Sequence, residues 1–269
     1  MKKTNKFIMT IPRLPTVDDL PKNILCDILP SKDGKNTNIL ILLHGLGDTK
    51  DGFTQLAKNL SLPQTASLIP QAPTPIPALI TGSDTPSFHW ARDLEFDSTT
   101  GQLDLDADLT PSITILTSII EALIKVCNYP PRNIFLFGFG QGGMLALSTL
   151  AKSSFLDGNG DGNKELGGVI SIGGRLPASF SPPSNSKSEG KEKEKGKIKT
   201  PVLVAGGNRN TEITRTALDK IKSTFADVEY VKWEREGDGM MRGREEVLPL
   251  MRFWGRRLRM GAPEGMSEI

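Results

Sequence analysis

Short, mostly apolar runs alternate along the chain with longer segments in which apolar residues recur every three or four positions. The short runs predict buried strands, and the helical recurrence predicts amphipathic helices. Because strands and helices alternate, we expect an α/β architecture, with a mostly parallel central sheet and helices on both faces. The predicted strands span residues 39–43, 134–139, 169–172, 202–205 and 229–233, and the predicted helices span residues 112–127, 141–153, 212–225 and 244–259.

Composition disfavours several classes of function. The chain has 33 basic and 31 acidic residues among 269, and this balance gives no reason to expect nucleic acid or an anionic membrane as partner. The two cysteines, Cys26 and Cys127, fit no metal or redox spacing and are typical of reduced cytosolic thiols. No apolar run approaches the roughly 20 residues of a membrane span, and residues 1–10 lack the apolar core of a signal peptide. We therefore expect a cytoplasmic protein without a membrane span.

The chain is expected to form a single domain over residues 1–269 that carries two inserted loops. Residues 157–164, DGNGDGNK, predict a flexible loop. They match the opening of a calcium loop, but Gly168 stands where the bidentate glutamate belongs, so we expect no metal site. Residues 181–199 are rich in Ser, Lys and Glu; they cannot bury enough apolar surface to offset their ordering entropy, which predicts disorder.

The run NIFLFGFGQGG, residues 133–143, has the strand, turn and helix layout of a nucleophile elbow. Its motif is G-x-S-x-G, and Gly140 stands at the position of the serine. Glycine has no side chain that could attack a carbonyl, but it adopts the positive φ of such a turn without strain. Gly138, Gly140 and Gly143 also spell G-x-G-x-x-G. A polar loop follows where a nucleotide site needs an acidic residue, so nucleotide binding is disfavoured.

Three further motifs accompany the elbow: LHGLGD at residues 43–48, PVLVAGGNRN at 201–210 and DGMMRGREE at 238–246. In order and spacing, the set resembles the phospholipase/carboxylesterase family of α/β-hydrolases, which includes the acyl-protein thioesterases. The resemblance covers about residues 24–258. It implies an α/β-hydrolase fold and hydrolysis of carboxylic esters or thioesters without a cofactor.

The same resemblance places the family's Ser–Asp–His triad on Gly140, Asn210 and Arg242. A guanidinium stays charged and cannot exchange a proton near neutral pH. Asn210 could orient a ring but supplies no charge, so Arg242 would need another carboxylate, for which Asp238 and Glu236 are candidates. With all three positions changed, the resemblance implies a pseudoenzyme.

Neither histidine of the chain can replace the missing base without a rearranged fold. His44 belongs to the turn after the first core strand, on the side of the oxyanion hole. His89 precedes Trp90 in SFHWARD, a segment that the family places near its pocket. The missing base therefore has no evident substitute.

The oxyanion hole implied by the resemblance uses the backbone N–H groups of Leu46 and Gln141. Backbone donors survive the loss of a side chain, and the helix starting at Gln141 directs its positive end at the same place. With Arg242 added, these groups suggest a site for a small anion. The alternative is that Arg242 points to solvent from an idle loop.

Three functions stay open. The favoured one is a catalytically impaired family member whose pocket binds an acyl chain, a small anion or a protein partner. The second is an active ester or thioester hydrolase that uses other groups, such as a water oriented by Asn210 or activated by Asp238. The third is an interaction protein that acts through residues 181–199.

Overall fold

The computed structural model describes residues 12–22, 24–96, 98, 101, 106, 108–152, 165–181 and 197–260. The strands in this part are β1 Cys26–Leu29, β2 Asn38–Leu43, β3 Thr65–Pro70, β4 Thr74–Pro75, β5 Phe88–His89, β6 Ile134–Phe139, β7 Gly168–Ile172, β8 Val202–Gly206 and β9 Val228–Lys232. The α-helices are α1 Lys50–Leu60, α2 Ala78–Thr81, α3 Thr110–Lys125, α4 Gln141–Lys152, α5 Arg215–Thr224 and α6 Arg244–Arg257. Two short 3-10 helices span Val17–Asp19 and Pro131–Asn133.

One seven-stranded sheet, in the order β1-β3-β2-β6-β7-β8-β9, forms the centre of the fold. Strand β1 pairs antiparallel with β3, and the other neighbours pair parallel. Helices α3, α4 and α5 pack on one face and α1 and α6 on the other, so each face has its own apolar core. The predicted parallel sheet with helices on both faces is confirmed. Each of the five predicted strands begins and ends within one residue of its prediction. The prediction that all five are buried is wrong for β9, which is a half-buried strand at the edge of the sheet.

The elements that the sequence pattern missed are those with weak periodicity. Strand β3 buries all six residues, but threonine and serine interrupt its apolar run. Helix α1 has an amphipathic face that buries only Phe53 and Ala57, too few apolar positions for a strong signal. Strand β1 is a half-buried edge.

Helix α5 starts three residues after its predicted start at residue 212. Thr214 caps the helix, since its side chain accepts a hydrogen bond from the Ala217 N–H. Glu212 therefore lies in the loop before the helix, at the carboxyl end of the sheet, and not within α5.

The predicted loop at residues 157–164 lies outside the described residues, and so does most of 181–199. At the end of the second segment, the Ile198 N–H donates to the Thr224 carbonyl, and Ile198 forms a β-bridge with Phe225. Regular contacts with α5 therefore resume by residue 198. Across the described part of the chain, no helix is long and apolar enough to cross a bilayer.

Candidate functional site

Gly140 forms the tight turn between β6 and α4 and has a φ of 51°. Its N–H donates to the Ile172 carbonyl at 2.8 Å, and its carbonyl accepts from the Met144 N–H at 3.0 Å. These two bonds fix the turn to β7 on one side and to the first turn of α4 on the other. The layout is that of a nucleophile elbow, with glycine in the left-handed conformation that such a turn requires.

The elbow packs tightly on one side and opens into free space on the other. A Cβ placed on Gly142 would lie 2.3 Å from the Leu43 carbonyl oxygen, so α4 can approach the end of β2 only through a glycine. A Cβ placed on Gly140 meets no atom within 4 Å. Crowding therefore does not demand glycine at position 140, and a side chain there would project into the opening.

That opening is a cavity of about 170 Å³ at the carboxyl ends of the parallel strands. Its walls combine backbone around the elbow with apolar surface from Phe139 and Met144. Charged side chains come from Arg175, Glu212 and Asp238. None of the described residues that line it carries a hydroxyl, a thiol or an imidazole.

Leu46 and Gln141, the two predicted oxyanion donors, both line this cavity beside Gly140. Neither backbone N–H has a hydrogen-bond acceptor among the described residues. Gln141 is the first residue of α4, whose opening N–H groups have no partner within the helix. Its side chain is fixed, since Oε1 accepts from the Trp90 N–H at 2.7 Å. The Trp90 indole in turn donates to the His44 carbonyl at 2.8 Å, which ties the two donor segments together.

Asn210 and Arg242, the other two residues that the sequence resemblance assigns to the triad, do not line the cavity. Asn210 is exposed with a φ of 48°, and its side-chain amide donates to Glu236. Arg242 is also exposed, and its backbone N–H donates to a carboxylate oxygen of Glu246 at 2.8 Å. Of the three positions, only Gly140 faces the opening.

The loop that carries Arg242 is anchored by Arg235. Its guanidinium pairs with Glu246 at 2.9 Å, donates to the Gly239 carbonyl at 2.6 Å and stacks over the Trp233 ring at 4.7 Å. The chain after β9 therefore has a fixed course.

Asp238 is the residue of this loop that does reach the cavity. Its Oδ1 accepts from the Gly207 N–H at 3.0 Å and from the Thr211 hydroxyl at 2.7 Å, and its Oδ2 accepts from the Glu212 N–H at 2.7 Å. One carboxylate thus joins the loop after β9 to the loop after β8. In the family that the sequence resembles, these two loops carry the histidine and the aspartate of the triad.

Arg175, which sequence reasoning did not single out, enters the cavity from the turn after β7. It forms a two-bonded pair with Asp106, at 2.7 and 3.0 Å, and a third bond with Glu212 at 2.9 Å. The hydrogen bonds with Asp106 raise the pKa of Arg175 against the opposing effect of burial. Burial would raise the pKa of Asp106, but the hydrogen bonds from Arg175 and the Ala178 N–H, together with the positive charges of Arg175 and Lys220, outweigh it and lower that pKa. The sequence feature that could have identified Arg175 is its place directly after two glycines at the end of a predicted strand.

His44 is a buried structural residue. Its Nε2 accepts from the Ala72 N–H at 3.0 Å and lies 2.8 Å from the side-chain amide nitrogen of Gln71, while Nδ1 lies 2.9 Å from the Gly45 carbonyl. The neutral ring with its proton on Nδ1 satisfies all three contacts. Burial lowers the pKa of His44, in keeping with that neutral form.

His89 is 1% exposed on β5, opposite Thr74. Neither of its ring nitrogens has a hydrogen-bond partner in the described part of the chain, and burial lowers its pKa. Neither histidine lines the cavity. Among the described residues, no group of three or more His, Cys, Asp and Glu side chains is arranged to hold a metal ion.

Residues 26–197 match the phospholipase/carboxylesterase family. An uncharacterized hydrolase of Schizosaccharomyces pombe is 31% identical to this chain over 217 residues, which cover 81% of each protein. Acyl-protein thioesterase 1 of Debaryomyces hansenii is 28% identical over 175 residues, which cover 62% of this chain and 67% of the relative.

Solved structures share the architecture. Acyl-protein thioesterase 2 of Zea mays aligns with a TM-score of 0.62 and 19% identity, over 87% of this chain and 99% of the other. The carboxylesterase of Bacillus cereus aligns with a TM-score of 0.59 and 16% identity, over 88% and 96% of the two chains. At this identity the likeness establishes the fold, which is the predicted α/β-hydrolase fold.

Proposed function

Because this chain belongs to the phospholipase/carboxylesterase family of hydrolases, we propose that it binds an acyl compound in the family's pocket and is impaired in cleaving it. One observation carries the proposal. At the elbow, Gly140 faces open space beside two backbone N–H groups that have no acceptor among the described residues, in a cavity whose described lining has no hydroxyl, thiol or imidazole.

The ligand group that these donors suit is a carbonyl oxygen. Leu46 and Gln141 line the same cavity, and Gln141 is the first residue of α4, where the positive end of the helix lies. Donors of this kind bind the oxygen of an ester, thioester or amide whether or not a nucleophile is present, because they belong to the backbone. An acyl ligand of the family's chemical class can therefore be held without being attacked.

A free anion is a poorer fit than a neutral carbonyl compound. The anion site predicted from the sequence includes the charge of Arg242. Arg242 is exposed and does not line the cavity. The cation that does line the cavity, Arg175, is already engaged by Asp106 and Glu212. We therefore propose an acyl compound, and not a free anion, as the ligand.

Asp238 favours a second candidate function, hydrolysis by a water that this carboxylate activates, since Asp238 lines the cavity. Its two oxygens already accept three hydrogen bonds from the protein, which leaves less capacity to accept one from a water. We therefore rank this function below ligand binding. The action of residues 181–199 in partner binding and the cytoplasmic location stay predictions.

The test uses the two donors as reporters. Titration of ¹⁵N-labelled protein with S-butyl thiobutyrate is expected to shift the amide resonances of Leu46 and Gln141 while the thioester stays intact. Gln141→Pro removes one donor at the first position of a helix, where proline is tolerated, and should weaken binding about tenfold, as loss of one hydrogen bond of about 1.4 kcal/mol does.

Gln141→Ala is the matched control, because it removes the side chain but keeps the N–H. Equal weakening in both variants would show that the side chain, not the backbone donor, matters. Rapid loss of the thioester in the wild-type sample would refute the proposed impairment.

A further inference from the structure

The charges around the cavity are uneven. One cation, Arg175, and two carboxylates, Glu212 and Asp238, line it. The Arg175 guanidinium is also bonded to Asp106 behind it and to the Leu176 carbonyl. Four of its five N–H groups therefore have acceptors within the protein, and little of its charge is left for a ligand.

Of the two carboxylates, Glu212 accepts fewer hydrogen bonds from the described residues than Asp238 does. Its Oε2 accepts from Arg175 Nε at 2.9 Å, and its Oε1 has no donor among the described residues. The side chain is 45% exposed, and its backbone is held because the Glu212 N–H donates to Asp238. Glu212 therefore lines the same cavity as Leu46 and Gln141 with one carboxylate oxygen that accepts no hydrogen bond from the described residues.

We propose that Glu212 sets the specificity of the pocket, so that it prefers acyl compounds carrying an ammonium group over neutral ones and disfavours those carrying a carboxylate. The inference rests on the proposed binding of the acyl carbonyl by Leu46 and Gln141. The carbonyl oxygen takes the two N–H groups, and the ammonium takes the free oxygen of Glu212. An anionic substituent meets two carboxylates and a cation that is already neutralised.

Three amides of matched length test the preference, and none of them carries an ester bond to be cleaved. They are 4-aminobutanamide, which is cationic, pentanamide, which is neutral, and succinamate, which is anionic. Their dissociation constants are measured from the amide shifts of Leu46 and Gln141 at low salt. Because Glu212 is partly exposed, we expect the cationic amide to bind about fivefold more tightly than the neutral one, and succinamate to bind most weakly.

Glu212→Gln keeps a hydrogen-bond acceptor for Arg175 but removes the charge, and should bring the cationic amide to the affinity of the neutral one. Glu245→Gln, on the exposed start of α6 outside the cavity lining, is the control and should leave the preference unchanged. Succinamate binding as tightly as 4-aminobutanamide, or a preference that survives Glu212→Gln, would overturn the inference. Failure of pentanamide to bind would instead overturn the proposed function, so the two failures are distinguishable.

Discussion

The two sides of the cavity are built from different parts of the chain. The backbone side consists of Leu46, Gly140 and Gln141, which contribute N–H groups and a glycine turn. The side-chain side consists of Arg175, Glu212 and Asp238, whose charged groups come from three separate loops. The backbone side keeps the geometry of a hydrolase elbow, whereas the side-chain side has hydrogen bonds unlike those of a Ser–Asp–His triad.

The difference follows from what a substitution can change. On the proposed mapping of the triad, a residue change at position 140, 210 or 242 alters side-chain chemistry, but it leaves the path of the backbone and therefore the N–H donors in place. Asn210 and Arg242 stand where the resemblance assigns an Asp–His pair to the loops after β8 and β9. Asp238 joins these two loops instead, through its bonds to Gly207 and Glu212.

The largest expected effect is a loss of stability when the close packing on the backbone side is disturbed. Gly142→Ala puts a Cβ 2.3 Å from the backbone oxygen of Leu43, which cannot move without displacing β2 from α4. We expect a loss of about 3 kcal/mol in the free energy of unfolding, measured by urea denaturation. The matched control is Gly140→Ala, whose Cβ has open space and meets only the strain of positive φ, about 1 kcal/mol. Equal losses in the two variants would contradict the tight packing inferred for α4.

A smaller effect is expected on the side-chain side. Asp238→Ala removes three hydrogen bonds between the loops after β8 and β9, and water can replace part of them because the site is only half-buried. We expect a loss of about 2 kcal/mol. Asp238→Asn keeps one oxygen for Gly207 and Thr211 and should lose about half as much. If Asp238→Ala leaves the urea midpoint unchanged, Asp238 does not hold the loops together.

The third effect is a change in the free energy of unfolding with pH. His89 and His44 have lowered pKa values in the folded protein because burial disfavours the charged ring, while in the unfolded chain each titrates near 6.5. Below about pH 6.5 the unfolded chain therefore binds more protons, and stability falls as the pH drops from 7 to 5. The slope is at most about 1.4 kcal/mol per pH unit for each histidine.

His89→Phe isolates one of the two contributions. This variant should give a shallower loss of stability between pH 7 and 5, measured by urea denaturation at each pH. An unchanged slope would show that the His89 ring finds a partner or solvent when it is charged.

The sequence predicted the backbone side better than the side-chain side, for a physical reason. The elbow lies within eleven consecutive residues, and its glycine spacing reflects close packing and a left-handed turn that are local properties of the chain. Strands β2, β6, β7 and β8 were found because each is a short, mostly apolar run, and the edge strand β9 was found although Glu229 and Lys232 interrupt its pattern. Strands β1 and β3 were missed because polar residues interrupt the pattern, although tertiary packing buries all of β3.

The side-chain side depends on contacts between distant residues. Arg175 reaches Asp106 across 69 positions and Glu212 across 37, and no local pattern predicts such partners. Arg242 was assigned to an anion site by alignment of motifs, yet it lies exposed outside the cavity lining. Asp238 was considered as a counter-charge for Arg242 or as an activator of water, but its bonds to the loop after β8 became evident only from the fold.

We propose that a hydrolase scaffold retains its carbonyl donors without the groups that attack and relay protons. The most direct test is the hydrolysis of p-nitrophenyl butyrate by the wild-type protein, followed at 405 nm beside a buffer blank. We expect the wild-type protein to hydrolyse the ester at a rate equal to that of the buffer blank. A rate well above the blank that disappears in Asp238→Asn would contradict it and would identify a working hydrolase.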